Sequence, residues 1–465
     1  MSDALAVARA ALAGHGDVHL VGGAVRDRLL GRALTDLDLV VAGDVREAAQ
    51  LLARAARGPA FPLSDAWGSW RVLAADRSWH ADLTPRRGAT VEDDLALRDF
   101  TLNAMAEPLA GGERVDPHGG ARDLATRRLR MVSAQAFADD PLRCVRLARL
   151  ACELELEPEP ATVMAAARHA PGLQRVAGER VFAELCRLVG ADRAVDGLHL
   201  LEAAGASAVV LPELSAMHAV EQTLYHHRDV HGHVLEVLAH VIALEREPGA
   251  VLGEEHAGAI AALLAQPLAD GLTRGGALRW GALLHDVAKP VTQVPLARGG
   301  FGFPGHDELG AAMSREVLAR LRTSEGLRAH VAALARHHLR AGFLVHGAPL
   351  DRGAIHDYLA ACAPVAADVT LLSVADRLAT RGRKADEAIE RHLAVARVLL
   401  GEALRHHAEG PPAPLLRGDE VAAAAGRAPG PWLGEAMAEL ARAQFTGAVS
   451  SREEALAFAR ARAAQ

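Results

Sequence analysis

Over the first hundred or so positions, apolar residues come in short runs separated by turns. Residues 18–21 form an apolar strand that ends in a double glycine; a short helix follows, and 37–41 is a second strand. Further strand-like runs lie at 69–74, 80–83 and 104–109. From about residue 137 the apolar spacing changes to three and four, in segments rich in Ala, Leu and Arg, which is the signature of amphipathic helices. The pattern predicts an α+β protein: a small mixed sheet of five strands, then an all-α neck, body and tail.

Proline and glycine interrupt the helical periodicity at 247–249, in PLARGGFGFPGH (295–306) and in EGPPAP (409–414). With these breaks the expected units are a head at 1–135, a neck at 136–215, a helical domain at 216–405 and a tail at 406–465. No fixed-period repeat points to a solenoid.

Composition narrows the picture. At 465 residues the chain exceeds one ordinary domain. Its four cysteines (Cys144, Cys152, Cys186, Cys362) have neither metal-ligand nor disulfide-like spacing, which fits a reducing cytoplasm. The start lacks a basic stretch followed by an apolar run, and no segment approaches the ~18 apolar residues that span a bilayer, so neither export nor a membrane anchor is expected. A net charge of −7 does not advertise a nucleic-acid binder. Locally, however, Arg122, Arg127, Arg128, Arg130, Arg143, Arg146 and Arg149 form a basic cluster, which reads equally as a solvated helical face.

The densest chemistry lies in VHLVGGAVRDRLLGRALTDLDLVV (18–41). Gly22 and Gly23 stand between a strand and a helix, where bare backbone N–H groups and a helix N-terminus can approach a triphosphate. Arg26 and Asp27 follow, one a cation for phosphates and the other a fixer of the turn. Asp36 and Asp38, two apart on a strand, point to one face and can hold two Mg²⁺ ions. Neither a double glycine nor a DxD is specific alone; their order, strand, GG, helix, DxD strand, is.

These residues resemble the first motif of the class II tRNA nucleotidyltransferase and poly(A) polymerase family, in the DNA polymerase β-like superfamily. LRDFTLNAMA (97–106) is similar to the family's RRDFTxNA motif, which implies that Arg98, Asp99 and Asn103 help bind ribose and triphosphate. DPHGGARDL (116–124) resembles its head-to-neck hinge. DDPLRCVRLARL (139–150) resembles the EDxxR motif, implying that Asp140 and Arg143, with Arg146 nearby, bind the nucleotide and read its base. An Arg fork and an Asp acceptor suit the Watson–Crick edge of cytosine or adenine, although a helix salt bridge at three-residue spacing fits the same pair. GERVFAEL (178–185) resembles a motif that braces neck helices through Glu179, Arg180 and Glu184, and the 415–447 segment resembles the family's RNA-binding end. The resemblance implies two-metal phosphoryl transfer from CTP and ATP to the 3′ end of tRNA.

Two departures matter. Leu97 stands where the family usually has a first arginine, so one phosphate contact is missing or supplied elsewhere. Only residues 89–91 separate Gly88 from Glu92, where CCA-adding relatives carry a longer flexible loop; the shortening is similar to relatives that add two cytidines alone. Asp82 is either a third carboxylate near the metals or a strand-end hydrogen-bond acceptor.

A second constellation comprises His233, His285-Asp286 and Asp376, whose H…HD…D order resembles the HD phosphohydrolase superfamily. Such a set implies a divalent transition metal that activates water, with His306 and either His337 or its neighbour His338 as extra ligands. The rival functions are a poly(A) polymerase, which shares the motifs but often has a basic C-terminal extension, and an HD phosphohydrolase with an RNA-binding head.

Overall fold

The computed structural model describes residues 4–64, 67–223, 227–297, 299–381 and 385–462; Arg298 of the glycine-rich loop and the chain's last three residues fall outside them. The chain folds as two compact units, Met1–Val210 and Leu211–Gln465.

The first unit is built on a mixed sheet of strands β1 (Asp17–Val21), β2 (Asp36–Ala42), β3 (Ala60–Ser64), β4 (Ser69–Leu73), β5 (His80–Pro85) and β6 (Ala106–Pro108). Their order is β3-β4-β5-β2-β1-β6; β2 and β5 run parallel and the other neighbours antiparallel. Six strands replace the five expected. The extra one, β3, is an edge strand containing Pro62, with no fully buried side chain, so it carries neither an apolar run nor an inward-outward alternation.

Strand periodicity fixes what each face of this sheet does. In β2 the odd positions Leu37, Leu39 and Val41 pack into the main core with Val18, Leu20, Ala81 and Leu83, under the helices Ala4–Leu12 and Val45–Ala56. The even positions Asp36 and Asp38 therefore face the opposite side. Further along that side a smaller core (Val21, Val40, Val91, Leu95, Ala104, Ala106) seats the helix Val91–Ala96. That helix begins in a capping box: Thr90 Oγ1 accepts from Asp93 N, and Asp93 Oδ2 accepts from the Thr90 and Ala89 amides.

The helices Arg143–Glu153, Gly178–Gly190 and Ala194–Ala203 pack together. The second unit is helical, with Val230–Arg246 against Arg274–Leu284 and Ala366–Ala379, and the last of these against Ala385–Glu409. Its end has a small core of its own, including Leu416, Val421, Leu440 and Val449. The all-α expectation needs one correction. Pro267–Ala269 pairs with Leu272–Thr273, Val294–Pro295 with Phe301–Gly302, and in the first unit Arg128–Leu129 with Glu157–Pro158. Ladders of two or three residues are too short to impose a period on the sequence. Among the described residues no single helix is long and apolar enough to cross a membrane. Cys144, Cys152 and Cys362 are buried, and burial pushes their thiols up to about 12, 11 and 11, which makes them packing groups.

His392, on Ala385–Glu409, is 4% exposed, with Nε2 3.2 Å from Ser373 Oγ. Burial pushes its imidazole down to about 4 against the opposing pull of Asp376, whereas an unfolded histidine titrates near ~6.5. Between those values the unfolded chain binds a proton that the folded chain refuses. Stability is therefore intact above the upper value and falls by roughly 3 kcal/mol as the pH drops through the window. Urea midpoints of metal-free protein between pH 4 and 7 should fall less steeply for His392→Gln than for the wild type; parallel curves would assign the acid sensitivity elsewhere.

Candidate functional site

At the end of β1 the chain turns through Gly22 (φ +68) into the helix Gly23–Leu29. A Cβ at Gly22 would lie 2.8 Å from Arg98 Nη1 and 3.1 Å from Asp38 Oδ2. Glycine is thus required both by the backbone angle and by the close approach of Asp38. The double-glycine turn and the DxD strand meet, although fourteen positions separate Gly22 from Asp36.

Parallel pairing sets Asp38 directly beside Asp82 and Asp36 beside His80. Asp36 Oδ1 lies 2.9 Å from His80 Nδ1, and Asp82 accepts two hydrogen bonds of 2.7 Å from Arg71. Asp82 sits mid-strand in register with Asp38, not at the strand end. Burial raises the Asp38 carboxyl; Arg98 opposes this, and the like charges of Asp82 and Asp36 add to it. Three carboxylates at one spot, one of them half-buried and reluctant to ionise, suit a hard divalent cation. A cleft of about 290 Å³ contains Gly22, Gly23, Asp36, Asp38, Arg26 and Arg98 in its lining.

One polar chain runs along this cleft. Asp27 accepts from Arg26 Nε at 3.0 Å and Nη2 at 2.8 Å, and Arg26 Nη1 donates to Asn103 Oδ1 at 2.7 Å. Asn103 Nδ2 donates to Asp99 Oδ1 at 3.0 Å, and Asp99 Oδ2 accepts from Arg146 Nε at 2.9 Å. Arg146 continues to Glu184, which also accepts from Arg149 at 2.5 Å. Burial alone would raise the Asp99 carboxyl, but Arg146, Asn103 and the Phe100 amide hold it well below the usual range. Asp99 and Asn103 therefore stand on the cleft wall with polar atoms already engaged, orienting Arg26 and Arg146.

A second cleft, of about 430 Å³, shares Arg98, Asp99 and Arg146 with the first and adds Trp67, Arg87, Asp140 and Arg143. Arg143 donates to the carbonyls of Ala136 (3.0 Å), Arg98 (3.3 Å) and Leu97 (2.9 Å). Asp140 lies before the helix Arg143–Glu153, and its Oδ2 accepts from Arg180 at 2.7 Å. The alternative of a helix salt bridge between Asp140 and Arg143 is not realised. Of the three brace residues, Arg180 and Glu184 make these contacts, while Glu179 is exposed in the first turn and makes no ion pair among the described residues. Sequence reasoning missed Arg87 and Trp67. Arg87 follows β5, its Nε donating at 3.0 Å to the buried Asp94, which also accepts from Arg98.

The second unit gathers the other set. His233, His285 and Asp286 form one ligand-capable group, and Asp286, His306 and His338 another. His233 Nε2 lies 3.0 Å from Asp376 Oδ1. His285, His306 and His338 each place Nδ1 2.6–2.9 Å from the carbonyl three residues earlier (Ala282, Phe303, Ala335). A carbonyl only accepts, so Nδ1 donates there and each Nε2 is turned toward Asp286, at 3.2, 3.4 and 3.7 Å. Burial pushes His338 down to about 4, which keeps it neutral. Burial would raise Asp286, yet His285 and Lys289 hold it well below the carboxylate range. The buried Nε2 atoms of His285 and His306 and Oδ1 of Asp286 have no hydrogen-bond partner, the donor set a divalent metal needs. Of the two candidates at the helix end, His338 joins the cluster. His337 does not: one residue earlier the ring points outward, where Arg340 donates to it at 2.9 Å.

Comparison with known proteins gives the same architecture. The family described as "Poly A polymerase head domain" matches residues 18–130, "Probable RNA and SrmB- binding site of polymerase A" matches 155–217, and "HD domain" matches 230–381. An A-adding tRNA nucleotidyltransferase from Deinococcus radiodurans is 37% identical, over 94% of each chain. A CC-adding tRNA nucleotidyltransferase from Thermus thermophilus is 36% identical, over 95% of this chain and 93% of its own. Among solved structures, a Thermotoga maritima CCA-adding enzyme complexed with tRNA superposes with a TM-score of 0.62 at 18% identity, over 99% of this chain and 94% of that one. A CCA-adding enzyme complexed with ATP gives 0.66 at 18% identity, over 98% and 95%.

Gly22→Ala places a methyl group against Asp38 and Arg98 in a backbone region (φ 68, ψ −136) that is nearly confined to glycine and disfavours alanine by roughly 1–3 kcal/mol. The thermal midpoint should fall by a few degrees, whereas nucleotide incorporation into tRNA should fall at least about tenfold. Undiminished incorporation would show that the turn does not shape the cleft.

Proposed function

This chain belongs to the tRNA nucleotidyltransferase and poly(A) polymerase family, and from that premise we propose that it adds the two cytidines of the CCA end to tRNA, drawing on CTP. One observation carries the choice of cytidine. The segment from Gly88 to Glu92, where CCA-adding relatives have a flexible loop, is a tight turn locked into a capping box by Thr90 and Asp93. Identity does not decide the matter, because the A-adding and CC-adding relatives are 37% and 36% identical. A nucleotide pocket without a mobile loop keeps one size, which favours one kind of base.

The roles follow from chemistry. Asp36 and Asp38, with Asp82 beside them, would hold two Mg²⁺ ions, whose Lewis acidity favours ionisation of a bound 3′-hydroxyl and neutralises departing pyrophosphate. Gly22 and Gly23 offer backbone N–H groups to the triphosphate, and Arg26, Arg98 and Arg146 supply cations. Arg87 stands in for the arginine that Leu97 replaces, since Asp94 holds it beside Arg98. On the base, Arg143 donates to the acceptors of cytosine and Asp140 accepts from its amino group. Arg180, bonded to Asp140, keeps that carboxylate aimed.

The cluster of His233, His285, Asp286, His306, His338 and Asp376 supports a second activity, metal-dependent hydrolysis of phosphate esters. Its support is the convergence of three imidazole Nε2 atoms on Asp286, which suits a divalent transition metal.

With tRNA lacking its 3′ end, CTP alone should give a product two nucleotides longer, and ATP should add nothing further. Addition of adenosine to tRNA ending in CC would refute the cytidine-only reading, and long adenosine tracts on unrelated RNA would favour a poly(A) polymerase. Asp38→Asn should abolish incorporation while raising the thermal midpoint slightly, because it removes a charge that burial and Asp82 disfavour. His285→Ala should leave incorporation intact; joint loss would mean the two sites are not independent.

A further inference from the structure

The metal-binding cluster opens into a cleft of about 460 Å³ lined by Asp286, Lys289, His306, His338, Asp376, Arg377 and Arg391, among others. Its charges do not balance within the protein. Lys289 Nζ is 2.6 Å from Asp286 and donates to Gln222 at 2.8 Å, and Asp376 pairs with His233. Arg377 and Arg391 remain.

Arg377 follows Asp376 on the helix Ala366–Ala379, and Arg391 comes from Ala385–Glu409. Neither guanidinium has a hydrogen-bonded or ion-paired partner among the described residues. The Nε–H of Arg377 is moreover fully buried. A buried, unmatched guanidinium N–H lacks stabilisation that a partner would return. Burial disfavours the charged Arg377 guanidinium; the carboxylate of Asp376 opposes this and the like charge of Arg391 adds to it, so the two arginines lie close enough to repel. Two adjacent cations, neither of them bonded to a carboxylate among the described residues, stand at the rim of a carboxylate and imidazole cluster and can take an anion. A guanidinium fork matches the oxygens of a phosphate.

We propose that Arg377 and Arg391 form the phosphate-orienting subsite of this second centre, gripping the non-bridging oxygens of a phosphate ester whose phosphorus faces the His and Asp cluster. The subsite rests on the reading of that cluster as a metal-dependent hydrolase. In the reaction served, a water oxygen bonds to phosphorus, the ester P–O bond breaks, and the water's proton ends on the leaving alcohol. Nothing is oxidised or reduced and no further reactant is needed. Arg377 acts on the phosphate, so it belongs to binding and not to metal retention.

The test is calorimetric titration of inorganic phosphate into the full-length protein loaded with Mn²⁺, alongside measurement of bound Mn²⁺ by elemental analysis. Arg377→Ala should weaken phosphate binding at least about tenfold and Arg391→Ala about threefold, each with Mn²⁺ content unchanged. Arg377→Lys keeps the charge without the fork and should lose less than Arg377→Ala, which separates a lost contact from a disturbed fold. Phosphate affinity unchanged in Arg377→Ala at full Mn²⁺ content would overturn the subsite and leave the metal reading standing. Failure of the wild-type protein to take up Mn²⁺ would overturn both.

Discussion

The alternation of side chains along β2 is the constraint on which the first unit depends. Because successive residues point to opposite faces, burying Leu37, Leu39 and Val41 under two helices obliges Asp36 and Asp38 to emerge together on the other face. A one-residue slip would bury the carboxylates and expose the leucines, so the energy of the hydrophobic core also holds the acidic pair in place. Parallel pairing with β5 then adds Asp82 in register, and Gly22 lets the neighbouring turn close on Asp38. The resulting repulsion is tolerated because it is concentrated where a divalent cation relieves it.

Away from the carboxylates, the same cleft depends on arginines held in place by buried acids. Asp94, Asp99 and Glu184 are buried and Asp27 partly so, and each fixes at least one guanidinium: Arg26, Arg87 and Arg98, or Arg146 and Arg149. The negative net charge of the chain conceals this, since acids that are consumed internally leave the cations to line the clefts. Positioning is the larger part of what phosphoryl transfer asks of a protein.

Legibility in the sequence followed the length of the signal. The apolar runs at 18–21 and 37–41 located β1 and β2 because both are buried, whereas β3, an exposed edge strand with Pro62, left no pattern to read. Gly22, Asp36 and Asp38 lay within a single motif and are adjacent in space. Arg87 and Arg180 gain their positions from tertiary partners, Asp94 and Asp140, that no local spacing reveals. The choice between His337 and His338 turned on about 100° of helical rotation at the end of Glu325–His337, a difference too fine for a pattern of two adjacent histidines. The resemblance to a known family identified motif residues as a group. The structure adds that Asp99, on the cleft wall, is bonded to Asn103 and Arg146 and so holds them in place.

The most direct trial of the account is an anomalous difference map from crystals of this protein grown with CTP and Mn²⁺. It should show two metal peaks between the triphosphate and the carboxylates of Asp36 and Asp38, with the phosphates lying on the turn at Gly22 and Gly23. A triphosphate bound away from that turn, or a map without metal at those carboxylates, would show that Asp36 and Asp38 do not hold the ions of nucleotide transfer.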